Sequence, residues 1–331
     1  MFRLLAINPG GVEDQILFFP TLQGIRDAFP TASVDVLVEP SAAVAYQVCP
    51  VPTKTIPFSF SSNPSLGDWV NLIGQIRERD YEVVLSTRRR AGDGFLLWLT
   101  GIPHRIAYAG SLTESLLTNP ITMRQDQYTA SMFHDLAKGV GVKQESALPK
   151  ALVSEKAQAW VTQEFKTRQI EPGKLVLLYA GAGTLSAKNE VLRPYPTEQW
   201  GEVLQNLMDK AKNQKLQFAV IQGVEDKQFT AQLQEQLGNR VLFITPPDLG
   251  TLTALIQSAK LLLCVESVPM HLAVATNTPL IALFGPANLV RILPKSLRFI
   301  PLQDQNSMVA IKPQRIVQVA LEQLSTKTPV S

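Results

Sequence analysis

The sequence predicts an α/β protein made of two similar domains, each built on a doubly wound parallel sheet. Short apolar runs alternate with longer amphipathic stretches along the whole chain, and this order is typical of a parallel sheet with helices on both faces. Both halves begin alike, with an apolar run that enters a turn of small residues, LLAINPGG at 4–11 and VLLYAGAG at 176–183. At 331 residues the chain is long enough for two domains of ordinary size.

The first half contains the pattern of strand and helix several times over. Pro20 lies inside the first predicted helix and is expected to kink or break it, because proline removes a helical hydrogen bond. The run Arg88–Arg90 directly follows one predicted strand. The predicted strands are 3–8, 33–38, 55–58, 82–86 and 105–108, and the predicted helices begin near 14 and cover 69–79, 94–100 and 131–139.

The second half begins where the apolar pattern lapses, between 149 and 155. We therefore predict a first domain over 1–152, a second over 153–312 and a terminal helical segment over 313–331. The predicted strands of this half are 175–179, 217–222, 241–244, 261–265 and 280–285, and its predicted helices are 155–168, 197–212, 249–258, 270–276 and 313–324.

The stretch 261–286 is one βαβ unit, in which two buried strands are joined by a short helix. Ser267 is a suitable N-cap, and Pro269 suits the first turn. Ligands of such sheets bind beyond the carboxyl ends of the strands, which is where Glu266, Ser267 and His271 lie. The free N–H groups of the helix start suit an anion. The alternative is that Ser267 is only a cap and His271 only a core histidine.

Several classes of function are disfavoured by composition and motifs. The formal net charge of +3 is too small to indicate a nucleic-acid partner. The chain contains no Walker A, HExxH or GxSxG sequence. Gly181 and Gly183 are followed by Ser186, and the next acidic candidate, Glu225, lies much farther on than the about 20 residues of a dinucleotide-binding site. Three scattered histidines indicate no metal site, so we expect neither a metal nor another cofactor.

The cysteines and the apolar segments predict a compartment. Cys49 and Cys264 have no CxxC partner, which favours a reducing environment. The apolar segment at the N-terminus is too short for a signal peptide, and no apolar run approaches the roughly 20 residues of a membrane span. We expect a cytoplasmic protein that can touch the cytoplasmic face of the inner membrane.

A set of residues along the chain matches the pattern of one known family. It comprises Asp14 with Phe19-Pro20, the turn 181–184, the segment 193–196 with Trp200, Gly223 with Glu225, and the segments 266–271 and 283–286. With these residues the chain resembles, over nearly its whole length, the family-9 glycosyltransferases, the heptosyltransferase-like enzymes of lipopolysaccharide and surface-glycan assembly. The resemblance implies a GT-B fold, with two Rossmann-like domains facing a central cleft, the acceptor on the first, the nucleotide-sugar on the second, and a final helix crossing back toward the first.

The resemblance also implies roles for single residues. Asp14 matches the catalytic base, which takes the proton of the acceptor hydroxyl in an inverting transfer; the alternative is a helix cap. The donor-binding positions are Gly183, Thr184, Arg193, Glu225, Glu266, Ser267 and His271. Among them, Thr184 and Arg193 match positions that hold the diphosphate, where a cation and helix N–H groups stabilise the leaving group without a metal. Glu225 matches a ribose contact. The alternatives are a solvated loop cation for Arg193 and an exposed loop acid for Glu225.

The sequence departs from the family pattern at five positions, two of which are Arg193, where lysine is usual, and Tyr195, where tryptophan is usual. Glu13 replaces the usual glycine before the catalytic aspartate, and Glu266 replaces the usual aspartate of the donor turn. Val268 replaces a residue that permits close ligand approach and positive φ. These departures motivate an alternative, a non-catalytic GT-B protein that binds sugar-nucleotide or glycan. A further alternative is another GT-B enzyme, such as a sugar-nucleotide epimerase.

Arg88, Arg89 and Arg90 come at a carboxyl strand end of the predicted acceptor domain. One interpretation is a clamp for a phosphorylated or carboxylated acceptor, such as a lipid-linked glycan at a membrane surface. The other is a solvated turn before the FLLWL helix. The function that the sequence predicts is an inverting, metal-independent glycosyltransferase that moves a sugar, with a heptose as one candidate, from a nucleotide-diphosphate donor to a lipopolysaccharide or other surface glycan.

Overall fold

The computed structural model describes residues 2–181, 195–223 and 227–325. The chain forms two compact units. The first comprises Met1–Lys150 with Val290–Ile292, and the second comprises Ala151–Leu289 with Leu293–Ser331. The division after Lys150 falls just before the predicted boundary at 152.

The first unit is built on a parallel sheet, which has six strands within the described part of the chain. The strands are β1 (Arg3–Asn8), β2 (Ser33–Val38), β3 (Lys54–Pro57), β4 (Val83–Ser86), β5 (His104–Tyr108) and β6 (Asn119–Ile121). Their order across the sheet is β3-β2-β1-β4-β5-β6, and every pairing is parallel. This is the doubly wound order of a Rossmann-like sheet.

The second unit repeats this arrangement with its own six described strands. They are β7 (Leu175–Tyr179), β8 (Gln217–Ile221), β9 (Leu242–Ile244), β10 (Leu261–Val265), β11 (Leu280–Phe284) and β12 (Phe299–Gln303). The order is β12-β11-β10-β7-β8-β9, again with parallel pairings. Counted from the first strand of the unit, this is the same order as in the first sheet, so the predicted α/β class with two doubly wound sheets is confirmed.

Helices connect the strands and cover the sheets. They are α1 (Val12–Ala28), α2 (Leu66–Arg77), α3 (Asp93–Leu99), α4 (Thr129–Asp135), α5 (Glu155–Thr167), α6 (Thr197–Lys210), α7 (Lys227–Leu237), α8 (Leu249–Gln257), α9 (Val268–Ala275), α10 (Leu289–Ile292) and α11 (Pro313–Ser325). Every residue of β7, β10 and β11 is buried. Strands covered on both faces are apolar throughout, which is why these segments read as continuous apolar runs in the sequence.

In each unit the strand order reverses between two neighbouring strands, β1 and β4 in the first and β7 and β10 in the second. Connections leave these two strands in opposite directions and open a crevice at their carboxyl ends, where ligands of doubly wound folds bind. The turn before Asp14 and the segment Thr87–Arg90 follow the first pair of strands. Gly181 and Glu266 follow the second pair.

Pro20 was predicted to kink or break its helix. It does not break the helix, because α1 continues from Val12 to Ala28 with Pro20 inside it. Ile16, Phe18 and Leu22 of this helix are fully buried. Burial of this kind supplies most of the stability of a helix in a folded protein and outweighs the about 3 kcal/mol that an internal proline costs.

Two strands, β6 and β12, and two helices, α7 and the short α10, were absent from the sequence-based elements. β6 and β12 each contain a proline and lie at sheet edges. An edge strand tolerates proline because one of its sides forms no hydrogen bonds with another strand, so the missing N–H need not interrupt the sheet. The β6 sequence NPI carries no apolar run, and in β12 Pro301 interrupts the apolar residues. Helix α7 is polar on most of its surface, and only one stripe of it, with Leu233 and Leu237, joins the core.

The last described helix, α11, packs within the second unit. Its residues Ile316, Val317, Ala320 and Leu324 belong to the same buried cluster as Trp200 of α6. Residues 326–331 lie outside the described part of the chain. The crossing of this segment toward the first unit stays a prediction.

Candidate active site

Asp14 lies in the first turn of α1, immediately after the turn that leaves β1. The N-cap of this helix is Gly11, with φ of −70° and ψ of −172°, and no side chain caps it. Asp14 is therefore not the cap residue. A Cβ atom on Gly10 would overlap both the Cβ and the carboxyl group of Asp14, so the half-buried Asp14 side chain lies directly over the Gly10 α-carbon. The positive end of the helix favours the charged carboxylate here.

The turn before Asp14 is fixed by a fully buried glutamine. The Gln15 amide nitrogen donates to the carbonyl oxygens of Asn8, at 2.9 Å, and of Gly10, at 3.0 Å. Its oxygen accepts from the Tyr46 hydroxyl at 2.9 Å. Desolvation raises the pKa of Tyr46 well above its usual value, so the hydroxyl stays protonated and donates. Every polar atom of this buried amide thus has a partner, as burial requires.

A second set of contacts joins the turn to the neighbouring strand β4. Asn8 is buried, and its amide nitrogen donates to the Asp14 backbone oxygen at 3.2 Å. The hydroxyl of Thr87 donates to the Asn8 side-chain oxygen at 3.1 Å, and the Thr87 backbone N–H donates to the oxygen of Ile7 at 3.0 Å. The position of Asp14 is therefore tied to both strands at the point where the sheet order reverses.

The three predicted arginines differ sharply in their surroundings. The Arg88 Nε donates to Asp93 Oδ1 at 2.8 Å, and both side chains are nearly buried. The Arg88 guanidinium also lies 5.1 Å from the ring centroid of Phe60 and 5.4 Å from that of Trp69. Arg88 thus belongs to the packing of α2 and α3. A ligand would have to displace these contacts to use it.

Arg89 and Arg90 are exposed at the mouth of a cavity of about 340 Å³. The cavity lies at the carboxyl ends of β4 and β5, and Tyr108 and Gly110 contribute to its lining. The Arg90 backbone N–H donates to Asp93 Oδ2, while no ion-pair partner for either guanidinium is found within the described ranges. These two cations are available to an anionic ligand.

A third cation near this cavity, Arg291, was missed by the sequence reasoning. It lies on α10, in the segment that groups with the first unit, and its backbone oxygen accepts from the Thr129 hydroxyl at 2.8 Å. Burial raises the pKa of Tyr108, as does the charge of Asp135, whereas Arg89 and Arg291 lower it. Arg291 is far from Arg89 in sequence, so only the fold could reveal that both act on Tyr108.

In the second unit, the predicted turn Glu266-Ser267 joins β10 to α9. Ser267 occupies the N-cap position but makes no side-chain cap bond; its hydroxyl donates instead to the Val265 oxygen at 2.9 Å. The prediction of Ser267 as a cap thus holds for its position and not for its side-chain bond. Val268, the first residue of α9, has no positive φ, so the backbone accommodates valine here without strain.

Burial governs both ionisable groups of this turn. It raises the pKa of Glu266 above its usual value. It lowers the pKa of the buried His271 to about 4, so this imidazole is neutral at pH 7. The His271 Nδ1 is buried without a hydrogen-bond partner among the described residues. The expectation of several free N–H groups at this helix start is wrong, because Pro269 has no N–H and those of Met270 and His271 donate to the Ser267 oxygen at 3.1 and 3.4 Å. The unpaired His271 nitrogen is the feature of this turn that suits a ribose or phosphate oxygen.

The remaining predicted donor residues, Gly183, Thr184, Arg193 and Glu225, lie outside the described residues, and their roles stay predictions. The adjoining Tyr195 is fully buried, and its hydroxyl donates to the Ile311 oxygen at 2.7 Å. Its ring packs against that of Trp200, with centroids 4.9 Å apart. These two aromatic residues anchor the start of α6 in the core of the second unit.

Across the described ranges, no group of three or more His, Cys, Asp or Glu side chains is arranged to hold a metal ion. Within the same ranges, no helix combines the length and the apolar character needed to cross a membrane. The expectation of metal-independent chemistry stays a prediction.

The sequence reasoning also missed Asn8, Gln15 and Tyr46. Gln15 gave one signal, since it is a polar residue among the apolar positions of α1 that face the sheet. Asn8 ends an apolar strand without any pattern around it. Tyr46 is 31 residues from its partner Gln15, and no local pattern connects them.

Comparison with known proteins places this geometry in a family. Residues 69–316 match the model of glycosyltransferase family 9 (heptosyltransferase). The chain is 22% identical over 337 residues to photosynthetic NDH subunit of subcomplex B 1, chloroplastic, from Arabidopsis thaliana, covering 93% of this chain and 68% of that protein. It is 21% identical over 309 residues to lipopolysaccharide heptosyltransferase 2 from Escherichia coli K12, covering 86% of this chain and 83% of that protein.

The fold is shared with a solved structure, the ADP-heptose lps heptosyltransferase II from E. coli. The TM-score is 0.78 at 20% identity, over 98% of both chains. At this identity the likeness shows the GT-B fold alone. The family match covers most of the chain, and it shows that the chain belongs to glycosyltransferase family 9 and is a glycosyltransferase of the heptosyltransferase-like kind.

Proposed function

We propose that this protein is an inverting, metal-independent glycosyltransferase that moves a sugar from a nucleotide-diphosphate donor to a lipopolysaccharide or other surface-glycan acceptor. The observation that carries the proposal is the placement of Asp14. Its carboxylate lies over Gly10 at the reversal point of the first sheet, and buried amide and hydroxyl contacts hold its turn. A fixed carboxylate at this edge is suited to remove a proton from a bound hydroxyl.

In the proposed reaction an acceptor hydroxyl oxygen attacks the anomeric carbon of the donor sugar. The bond between this carbon and the phosphate oxygen breaks, and the nucleoside diphosphate leaves with the electron pair. Asp14 takes the proton of the hydroxyl. A single in-line displacement inverts the configuration at the anomeric carbon.

The donor site belongs, in this proposal, to the second unit. Glu266, Ser267 and His271 bind the nucleotide part, together with Glu225, while Gly183, Thr184 and Arg193 hold the diphosphate. The neutral, buried His271, whose Nδ1 has no hydrogen-bond partner among the described residues, supports this assignment. The similar E. coli structure is that of an ADP-heptose lps heptosyltransferase II, and we take an ADP-linked heptose as the first donor to test.

The acceptor site belongs to the first unit. Arg89 and Arg90, with Arg291 nearby, line or flank the cavity of about 340 Å³ and bind an acidic group of the acceptor. Arg88 supports this surface through Asp93 rather than through the ligand. A lipopolysaccharide acceptor is anchored in lipid, so the proposal includes a peripheral contact between the protein and a membrane surface.

Product formation from ADP-heptose and heptose-deficient lipopolysaccharide tests the proposal. The wild-type protein should release ADP and glycosylate the acceptor in EDTA. Asp14→Asn should lower kcat at least 100-fold with little change in donor affinity, because general-base catalysis contributes roughly 10²–10⁴-fold. Glu13→Gln is the matched control, one residue earlier in the same turn, and should retain most of the activity. Equal activity of wild type and Asp14→Asn would refute the role of Asp14.

A second candidate is a non-catalytic binding or scaffold protein. Its support is the relative from A. thaliana, whose name makes it a subunit of a larger complex, together with the departures at Glu13, Glu266 and Val268. Calorimetric titration with ADP, UDP, GDP and CMP separates the two candidates. Binding of one diphosphate that is lost in Arg193→Ala supports a working donor site. Absence of binding to all four nucleotides favours the scaffold function.

A further inference from the structure

The segment 89–92 connects β4 to α3 and carries two of the proposed acceptor cations. We call it the arginine loop. All four of its residues are exposed, and it belongs to no strand or helix, yet Arg89 and Arg90 line the cavity of about 340 Å³. Cations on a freely moving loop would lose conformational entropy when they bind an anion. A loop that is held in place before binding avoids this loss.

Asp93 holds the arginine loop from its helical end. Its Oδ1 accepts from the Arg88 Nε at 2.8 Å, and its Oδ2 accepts from the Arg90 backbone N–H. The Asp93 N–H donates in turn to the Arg90 oxygen at 3.0 Å. The Arg88 guanidinium is fixed further by the rings of Phe60 and Trp69, at 5.1 and 5.4 Å from their centroids. The residue before the loop and the residue in its middle are thus bound to one nearly buried carboxylate.

Thr113 holds the arginine loop from a second direction. Its hydroxyl accepts from the Gly94 N–H at 3.0 Å and donates to the Ala91 oxygen at 2.9 Å. These partners are 19 and 22 residues away in the chain. A Cβ atom on Gly94 would overlap the Thr113 backbone oxygen, so the two segments are in direct contact. One hydroxyl therefore joins the loop and the start of α3 to the segment 110–112, which lines the same cavity.

We infer that Asp93 and Thr113 are positioning residues, which fix the backbone of the arginine loop so that Arg89 and Arg90 are held at the cavity before the acceptor binds. The inference rests on the proposed function, since it concerns the acceptor cations assigned there. Both residues act through the two arginines. Cations that are held in place select acceptors by the position of their acidic group, because they cannot follow a displaced anion without breaking the bonds of the loop.

Thr113→Val removes the hydroxyl and keeps the shape of the side chain. The KM for heptose-deficient lipopolysaccharide should rise at least fivefold, while kcat and the KM for ADP-heptose change less than twofold. Thr113→Ser keeps the hydroxyl and should behave as the wild type does. Thr118→Val is the matched control, because the Thr118 hydroxyl also bonds one backbone N–H and one backbone oxygen, both of Arg105 and neither in the arginine loop. It should leave all three constants unchanged.

A double-mutant cycle separates positioning from general destabilisation. In a protein that carries both Arg89→Ala and Arg90→Ala, Thr113→Val should have no further effect on the KM for the acceptor, because the groups through which Thr113 acts are gone. Asp93→Asn keeps the size of the side chain and can accept only one of the two bonds, so it should give the same pattern. A loss of stability alone would affect the proteins with and without the two arginines equally.

Hydrogen exchange measures the hold on the loop without any substrate. The Gly94 N–H is bonded to the Thr113 hydroxyl, and it should exchange at least tenfold faster in Thr113→Val than in the wild type or Thr113→Ser. Inorganic phosphate is a binding probe that requires no chemistry. It should shift the NMR signals of the Arg89 and Arg90 side chains, and it should bind at least fivefold more weakly to Thr113→Val.

The positioning role would be overturned by an unchanged KM for the acceptor in Thr113→Val, or by an effect of equal size in the protein without the two arginines. Equal phosphate affinity of Thr113→Val and the wild type would overturn it as well. A wild-type protein that forms no product but shows the expected exchange and phosphate binding would refute the proposed function alone. A wild-type protein that forms product, with Thr113→Val equal to it in KM and phosphate affinity, would refute the positioning alone.

Discussion

At the scale of single residues, the candidate base depends on a glycine. The Asp14 side chain occupies the space where any other residue at position 10 would place its Cβ. A helix-start carboxylate is common in proteins and usually serves only the helix. What distinguishes Asp14 is that the turn before it is held by buried side chains, which keep the carboxylate at one place relative to the strand ends.

Gly10→Ala should lower kcat at least tenfold while leaving the protein folded. The added methyl group overlaps Asp14, so either the turn or the carboxylate must move, and displacements of about 1 Å can reduce a rate about 100-fold. Transfer assays and thermal unfolding measure the two effects. Gly74→Ala is the control, since no atom lies within 4 Å of the added Cβ, and it should leave kcat unchanged. A Gly10→Ala enzyme of normal kcat would contradict the placement of Asp14.

Gln15→Leu should lower kcat more than it raises KM for either substrate. Leucine fills the same space but leaves the oxygens of Asn8 and Gly10 without their donor, and the turn that holds Asp14 loosens. Tyr46→Phe removes only the bond to the Gln15 oxygen and should have a smaller effect in the same direction. If Gln15→Leu lowers only the melting temperature, the residue stabilises the fold without positioning Asp14.

At the scale of elements, the two sites sit on short helix starts that follow central strands. The half-buried Glu266 directly follows β10, and helix α9 places the buried His271 close behind it in the chain. Helix α3 begins with Asp93, which binds both Arg88 and the backbone of Arg90 and so shapes the arginine segment. Each element therefore carries an ionisable group whose burial can be measured.

The buried His271 should make the protein less stable in mild acid. Its pKa is about 4 in the folded protein and about 6.5 in the unfolded chain. Between these values the unfolded chain binds the proton and the folded protein does not, so the free energy of unfolding falls as pH decreases through this window, by up to about 3 kcal/mol. Urea unfolding measured from pH 7 to 4 should show that the free energy of unfolding falls less for His271→Gln than for the wild type. If this free energy depends on pH in the same way in both proteins, His271 is accessible to protons in the folded state.

Asp93→Ala should destabilise the first unit by about 3 kcal/mol, because it leaves the nearly buried Arg88 without its carboxylate. Asp68→Ala is a contrasting variant in the same unit, since Asp68 is exposed in the capping box of α2, and it should destabilise the unit much less than Asp93→Ala does. Thermal unfolding compares the two. If both variants lose a similarly small amount of stability, Arg88 does not depend on Asp93 and can serve as a ligand-binding residue.

At the scale of the whole molecule, much of the fold was readable in the sequence. The central strands are buried on both faces and appear as apolar runs such as 175–179 and 261–265, and the small-residue turns after β1 and β7 mark the two units. The edge strands β6 and β12 were not predicted, because β6 is exposed and has little apolar character, and because Pro301 interrupts the apolar residues of β12. Pro20 gave a misleading signal, since local propensity yields to the packing of α1.

The candidate site was readable only where one segment supplies it. Asp14 and the stretch from Glu266 to His271 could be found from the strand ends that precede them. The separation of Arg88 from Arg89 and Arg90 could not, because it depends on Asp93, Phe60 and Trp69 coming together. The contact of Tyr46 with Gln15 and the place of Arg291 likewise depend on residues far apart in the chain.

The most direct test of the central claim is the anomeric configuration of the product formed from ADP-heptose and heptose-deficient lipopolysaccharide in EDTA, determined by NMR. We predict a glycosylated product with inverted configuration and ADP as the released nucleotide. A product with retained configuration, or transfer that requires a divalent metal, would contradict the single displacement assisted by Asp14. Conversion of the donor without an acceptor would indicate an epimerase. Binding of ADP without any product would leave a protein that keeps the family's donor site and has lost its chemistry.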